Sequence, residues 1–164
     1  MKIEEKQFLL EVAKLAAKRS HAIRLKVGAV VSDAEGNLIA TGFNGTVRGY
    51  PNEAGEFREY HEGPFTHTDG RGNPYKMTTD HDLMIHAEQN LVAHAARRGI
   101  SIRNGIVFGT HSPCMKCCSL LIQCGIVEMI YMEKHHSFDQ VENNYGKYMT
   151  LTQWKNDEEL TTTI

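Results

Sequence analysis

Two short motifs bring metal-binding and acid–base side chains into this 164-residue chain. His86 and Glu88 stand two residues apart, and Pro113 opens a second motif in which Cys114 and Cys117 stand three apart. One imidazole and two thiolates can hold a zinc ion whose fourth position stays open, as catalytic zinc requires. The motifs therefore predict a catalytic zinc site, with Glu88 moving protons beside the metal rather than binding it.

A structural zinc site is the alternative interpretation of the same residues. Such a site needs a fourth protein ligand, for which His111, Cys118 and Cys124 are the candidates. It has no use for Glu88. The two motifs together, in this order, favour catalysis, and Cys118 and Cys124 are then interpreted as buried helix thiols.

Apolar residues at helical spacing predict three helices that position these motifs. The first begins near Phe8, and the second runs from Asp80, as N-cap, to Gly99. The third opens at Pro113 and is ended by Gly125. On its first turn both cysteine sulfurs face the same way, and the helix N-terminus favours the thiolate form that binds metal.

Short apolar runs between the helices predict four strands. They are a hairpin of Val27–Val31 and Leu38–Phe43, followed by Gly105–Gly109 and Val127–Met132. Strands that alternate with helices in this order predict an α/β fold with three layers, α/β/α. After residue 133 the pattern is ambiguous, with a short helix around Val141 and an edge strand at Tyr148–Trp154 as the interpretation.

Residues 45–79 are rich in glycine and proline and lack periodicity, which predicts a long loop inserted into a single domain that spans 1–164. Outside the motifs stand His21, His61, His67 and His81, and the last three of them lie in or beside this segment. They are interpreted as surface or loop residues, with a second metal site built from histidines as the alternative.

Composition excludes several functional classes. With 18 basic and 20 acidic residues the net charge is −2, so no nucleic-acid partner is expected. No apolar run approaches the roughly 18 to 20 residues of a membrane span, and the first residues mix charges and lack the apolar stretch typical of a signal peptide. All four cysteines lie between Cys114 and Cys124, which favours metal ligands in a reducing compartment. These features predict a cytoplasmic protein without a membrane partner.

The chain resembles the cytidine deaminase superfamily and, within it, the deoxycytidylate (dCMP) deaminases. Four blocks carry the resemblance, in the family's order: Lys26–Val30, Thr41–Gly45, His86–Glu88 and Ser112–Cys117. The resemblance implies a central mixed sheet flanked by helices, catalytic zinc and a homohexamer. It also implies activation by dCTP, with Mg²⁺ accompanying that effector, and inhibition by dTTP.

The same resemblance implies a reaction and its contacts. Zinc would activate water for attack on C4 of dCMP, and Glu88 would pass protons to N3 and the departing amine, giving dUMP and ammonia. The N–H of Ala87 would hold the pyrimidine carbonyl, and Asn44 would bind the sugar, unless it is only a turn residue. Arg24 and Lys26 are candidates to pair with the 5′-phosphate, and a solvated surface charge is the alternative for each.

Two departures from the family pattern add candidates, and three other functions stay open. Arg48 stands where the family commonly has a small residue, and His135 where it often has a tyrosine; both are further phosphate candidates. A deaminase of tRNA adenosine shares the two motifs, and free cytidine is another possible substrate. A zinc-stabilised binding subunit without activity is the alternative from a different class.

Overall fold

The computed structural model describes residues 1–59, 67–80, 82–155 and 161–162. Its helices are α1 (Ile3–Lys18), α2 (Ala87–Arg97), α3 (Met115–Gln123) and α4 (Phe138–Tyr145). Its strands are β1 (Gly28–Ser32), β2 (Leu38–Phe43), β3 (Gly45–Thr46), β4 (Glu56–Glu59), β5 (His67–Thr68), β6 (Pro74–Thr79), β7 (Met84–Ile85), β8 (Ile106–His111), β9 (Glu128–Glu133), β10 (Thr150–Gln153) and β11 (Thr161–Thr162).

Six strands form a central mixed sheet in the order β11-β10-β9-β8-β1-β2. The predicted hairpin of β1 and β2 is antiparallel, and β1 also pairs antiparallel with β8. Strands β8, β9 and β10 run parallel, because α3 and α4 return the chain between them. The predicted mixed sheet is thus confirmed.

Helices cover both faces of this sheet. Side chains alternate between the faces along each strand, so neighbouring residues of β1 enter different cores. One core joins Val30 to the buried face of α1, with these members: Leu9, Leu10, Ala13, Phe108 and Ile130. The other joins Val31 to α2, α3 and α4, and includes these residues: Leu91, Val107, Leu121, Met129 and Val141. The predicted α/β/α layering is confirmed.

The segment interpreted as a long loop contains a small sheet instead. Strands β4, β6 and β5 pair antiparallel in that order, and β3 pairs with β7. The loop prediction is therefore wrong for these strands. Most of them are short, and none shows a regular alternation of apolar and polar residues long enough for a strand to be recognised in a sequence.

Two further elements differ from the prediction. Asp80 is not the N-cap of α2. It follows β6, its carbonyl oxygen accepts the N–H of Met84 in a turn, and the helix begins at Ala87. Strand β10 lies between β9 and β11 rather than at the sheet edge. Asp80 is a residue type that often caps helices. The helix cannot begin there, because Met84 and Ile85, between Asp80 and α2, form β7, which pairs with β3. Among the described helices, none combines the length and apolar character needed to cross a membrane.

Close packing of β2 on α2 depends on a glycine. A Cβ added at Gly42 would lie 2.2 Å from the carbonyl oxygen of Ala87 and 2.5 Å from the backbone nitrogen of Leu91. We expect Gly42→Ala to push α2 off the sheet and lower the free energy of unfolding by about 1–3 kcal/mol, measured by urea denaturation. Gly45→Ala, whose Cβ would meet no atom within 4 Å, is the control. Equal midpoints for the two variants would contradict the close approach.

Candidate metal centre and its cavity

Two helix N-termini converge on the predicted metal site. His86 is the N-cap of α2 and Cys114 the N-cap of α3, and both have extended backbone, with ψ of 160° and 172°. Cys117 follows on the first turn of α3. On an ideal helix His86 and Glu88 would diverge. Because His86 precedes the helix rather than belonging to it, its imidazole can serve the same site as the carboxylate.

The three predicted ligands lie close enough to hold one metal ion. Nδ1 of His86 is 3.5 Å from Sγ of Cys114 and 3.4 Å from Sγ of Cys117. All three donor atoms lie within 4.8 Å of one another, and in the part of the chain that the structure describes no other such group of three occurs. Two sulfurs and one imidazole nitrogen are donors that zinc prefers, so the residues fit the ion.

The pKa values of two groups in this cluster are shifted in opposite directions. A hydrogen bond with the Cys117 thiol, with a smaller contribution from His86, lowers the pKa of Cys114 to about 3. The hydrogen bond with Cys114 raises the pKa of His86. A sulfur held as thiolate is the form that binds metal, and the N-terminus of α3 favours it further.

Glu88 lies buried beside the cluster, on the first turn of α2. Its residue is only 4% exposed, and its carboxyl group shares a hydrogen bond with the Cys117 thiol. Burial raises the pKa of Glu88. A buried carboxyl group with a raised pKa next to a metal-binding cluster is suited to take up and release protons.

A cavity of about 370 Å³ opens over the cluster and Glu88. Its other lining residues come from the loop before β1, the end of β2, the small sheet, β7, the end of β8 and the loop after β9. Those with polar side chains are Arg24, Asn44, Glu56, Thr79, His111, Ser112, Lys134, His135 and His136. The cavity thus has acid–base groups at one position and cationic side chains at others, as a polar, anionic ligand requires.

Some of the residues predicted to contact phosphate and sugar line the cavity, and others do not. Arg24 lines the cavity, whereas Lys26 and Arg48 are exposed and do not line it. Asn44 lines it too, and its carboxamide is already engaged. Oδ1 accepts the N–H of Val27 at 2.8 Å, and Nδ2 donates to the carbonyl of Leu25 at 2.8 Å. Asn44 therefore holds the loop that carries Arg24.

His135 also lines the cavity and is held firmly. Its backbone N–H donates to Oγ of Ser112 at 2.8 Å, and its ring lies 3.9 Å from the ring of His136, centroid to centroid. Burial lowers the pKa of His135, so a neutral imidazole faces the cavity. Sequence reasoning missed His136 and Lys134, although both flank His135 in the chain and adjacency was the available signal.

Among the residues that the structure describes, the other histidines and cysteines do not join the cluster. Cys118 and Cys124 pack with the core, and Nδ1 of His111 lies 3.1 Å from Oγ1 of Thr110. His21 and His67 are exposed, as predicted, and His67 stacks on Tyr75 with ring centroids 5.6 Å apart. His61 and His81 lie outside the described residues, so a site that uses them stays a prediction.

Comparisons with known proteins agree on one family. Residues 3–133 match the family model described as the cytidine and deoxycytidylate deaminase zinc-binding region. The chain is 35% identical to the deoxycytidylate deaminase of Schizosaccharomyces pombe over 76% of its own length, although it spans only 35% of that protein. It is 27% identical to the deoxycytidylate deaminase of Enterobacteria phage T4, covering 92% of this chain and 95% of the phage protein.

A solved structure shares the fold. The dCMP deaminase of cyanophage S-TIM5, crystallised in complex with dCMP and dUMP, superposes with a TM-score of 0.72 at 27% identity. The match covers 94% of this chain and 99% of the phage chain. The overall architecture is thus found in a relative that aligns with this chain over almost its whole length.

Proposed function

Because the chain belongs to the cytidine and deoxycytidylate deaminase family, we propose that it deaminates dCMP hydrolytically to dUMP and ammonia. One observation carries the proposal: three zinc-type donors within 4.8 Å of one another lie beside a buried Glu88, under a cavity that a cation lines. The names of the fission yeast and phage relatives and the nucleotides bound by the cyanophage enzyme support dCMP as the substrate.

His86, Cys114 and Cys117 are the residues that would hold the zinc ion. When bound, the ion supplies a water molecule whose pKa is lowered toward neutrality. The three donors come from two helix N-termini that are packed into the core, so the site is rigid before any ligand arrives. Donors held in this way would keep a bound ion in one place relative to the pyrimidine ring.

Glu88 moves the protons of the reaction. Its carboxylate takes a proton from the attacking water and delivers it to ring N3. It then takes the proton of the new C4 hydroxyl and delivers it to the departing amine, so that ammonia leaves and a carbonyl forms at C4. Burial suits this role, because the raised pKa of Glu88 brings its proton affinity closer to that of the groups it serves.

A backbone N–H of α2 orients the pyrimidine ring, and the loop before β1 orients the sugar and the phosphate. Ala87 is fully buried and lines the cavity, and its N–H, on the first turn of α2, has no acceptor within the helix. That N–H would donate to the pyrimidine carbonyl. Asn44 supports the sugar subsite chiefly by holding Leu25 and Val27, and its second Nδ2 hydrogen can donate to a sugar hydroxyl.

The proposal is tested by ammonia release from dCMP, deoxycytidine and an anticodon stem-loop, measured side by side with zinc-loaded protein. We expect dCMP to be turned over with the highest kcat/KM. Turnover of the stem-loop alone would favour a tRNA adenosine deaminase, and equal rates on dCMP and deoxycytidine would favour a nucleoside enzyme. A protein that retains zinc but releases no ammonia would be a silent binding subunit.

Arg24, rather than Lys26, is expected to recognise the 5′-phosphate, because Arg24 lines the cavity and Lys26 does not. A dianion that leaves water needs charge-assisted hydrogen bonds, each worth about 1.5–3 kcal/mol. Arg24→Ala should therefore lower kcat/KM for dCMP by roughly ten- to a hundredfold and leave that for deoxycytidine unchanged. Lys26→Ala is the matched control and should change neither value. If Lys26→Ala gives the larger loss, the phosphate lies elsewhere.

Further properties implied by the family stay predictions for this chain. They are a homohexamer, activation by dCTP with Mg²⁺, inhibition by dTTP, a cytoplasmic location and a single domain over 1–164. Val47 and Arg48 stand where relatives commonly have a proline and a small residue, and both are exposed. Turnover measured against added dCTP or dTTP, together with the mass of the assembly in solution, tests the regulation and the oligomer.

A further inference from the structure

One residue pair of the small sheet holds Arg24 at both ends. Glu56 of β4 and Thr79 of β6 stand directly opposite each other in the antiparallel register. The Glu56 carboxylate accepts the backbone N–H of Ile23 at 2.5 Å and that of Arg24 at 3.1 Å. Oγ1 of Thr79 accepts from Nη1 of Arg24 at 3.2 Å. The carboxylate thus holds the backbone of Arg24, and the hydroxyl holds its guanidinium.

These contacts restrict a side chain that would otherwise be mobile. Arg24 is exposed, and a free arginine loses about 1.5–2 kcal/mol of rotamer entropy when it is fixed on a ligand. A guanidinium that is already held loses less. The bond to Thr79 uses one of five N–H donors, which leaves the others for an anion in the cavity that all three residues line.

We propose that Glu56 and Thr79 are positioning residues that fix Arg24 toward the cavity and so set the preference for a 5′-phosphorylated nucleotide over a nucleoside. This inference rests on the proposed function. Strands β4 and β6 then contribute to substrate recognition, because they pair with each other and the end of their ladder contacts the loop before β1.

The negative charge of Glu56 leads to the opposite expectation for binding of a phosphorylated nucleotide. A carboxylate that lines the same cavity repels a phosphate dianion, so removing it would strengthen nucleotide binding if repulsion dominated. Both carboxylate oxygens, however, accept N–H groups of the Arg24 loop, and each such charge-assisted bond stabilises the position of that loop. The two effects predict opposite changes in the KM for dCMP.

The experiment measures kcat and KM for dCMP and for deoxycytidine in Glu56→Ala, Thr79→Val and Thr79→Ser. We expect Glu56→Ala to raise the KM for dCMP about tenfold and Thr79→Val about threefold, with kcat and the values for deoxycytidine unchanged. Thr79→Ser keeps the hydroxyl and should behave as wild type. Thr79→Val keeps the side-chain size, so it tests the inference even if Glu56→Ala disturbs the small sheet.

The same two strands offer matched controls. Oγ1 of Thr78 donates to the Glu59 carboxylate at 2.9 Å, and neither residue lines the cavity. Glu59→Ala and Thr78→Val should leave both KM values unchanged. A second control combines Glu56→Ala or Thr79→Val with Arg24→Ala: because the pair acts through Arg24, the double variants should lose no more dCMP affinity than Arg24→Ala alone.

Each outcome decides the matter. A lower or unchanged KM for dCMP in both Glu56→Ala and Thr79→Val overturns the inference, and so does an equal loss on dCMP and deoxycytidine, which would mean a general structural effect. Full additivity with Arg24→Ala overturns it as well. Failure of the proposed function looks different, because wild-type protein would then show no preference for dCMP before any variant was made.

Discussion

Glu88→Gln is expected to abolish turnover of dCMP while the zinc content stays at that of the wild type. Glutamine has nearly the same shape but cannot take a proton from water or deliver one to N3, and general acid–base groups contribute about 10²- to 10⁴-fold to rates. Glu88 is buried, so a neutral amide also removes the cost of placing a charge there. The folded protein should therefore be no less stable.

Ammonia release and metal analysis of the purified variant measure this effect. Glu59→Gln makes the same chemical change outside the cavity and should keep full activity. Activity of Glu88→Gln within tenfold of the wild type would remove the proton-transfer role from this residue. Loss of zinc from the variant would mean that Glu88 is a ligand, and the assignment of the donor set would be wrong.

Cys117→Ala is expected to remove both zinc and activity, and to lower stability. The thiolate is one of three donors, and losing it leaves two, which hold zinc poorly. Because metal binding contributes to folding free energy, the midpoint of thermal unfolding should fall together with the metal content. His86→Ala and Cys114→Ala should behave alike.

The adjacent cysteine is the matched control for this prediction. Cys118 is fully buried in the core, next to α4 and the sheet, and it is not part of the donor group. Cys118→Ala should lower stability by roughly 1 kcal/mol through lost packing, yet keep zinc and turnover. If Cys118→Ala released zinc and Cys117→Ala retained it, the donor set would have to be reassigned.

Local patterns in the sequence were sufficient for the core elements. The hairpin of β1 and β2, the strand β8 and the helix α3 follow from apolar periodicity, turn residues and a proline, all of which act over a few positions. The start of α2 was placed wrongly at Asp80, because a capping residue type is also a turn residue type. In the fold, β7 pairs with β3, which lies 40 residues earlier in the chain (Gly45 opposite Ile85). This pairing makes Asp80 a turn residue rather than a helix cap.

The small sheet in residues 45–79 could not be predicted in this way. Its strands are polar, and their pairing depends on neighbours rather than on an apolar face, so each strand by itself resembles a loop. Glu56 had no sequence signal, since its partners at Ile23 and Arg24 lie 33 and 32 residues earlier in the chain. Such a contact exists only once β4 and β6 are paired.

The sequence by itself determined the chemistry proposed for the site, because His86, Glu88, Cys114 and Cys117 suggest that chemistry by their residue types and short spacings. Tertiary structure alone decided which of two predicted phosphate-binding cations, Arg24 or Lys26, lines the cavity. Arg24 and Lys26 are two residues apart and equivalent as charges, and their difference arises from hydrogen bonds to Thr79 and Glu56 that the distant small sheet supplies. Metal ligation depends on residue type and local helix geometry, whereas the direction of a long, flexible side chain depends on what the rest of the fold places around it.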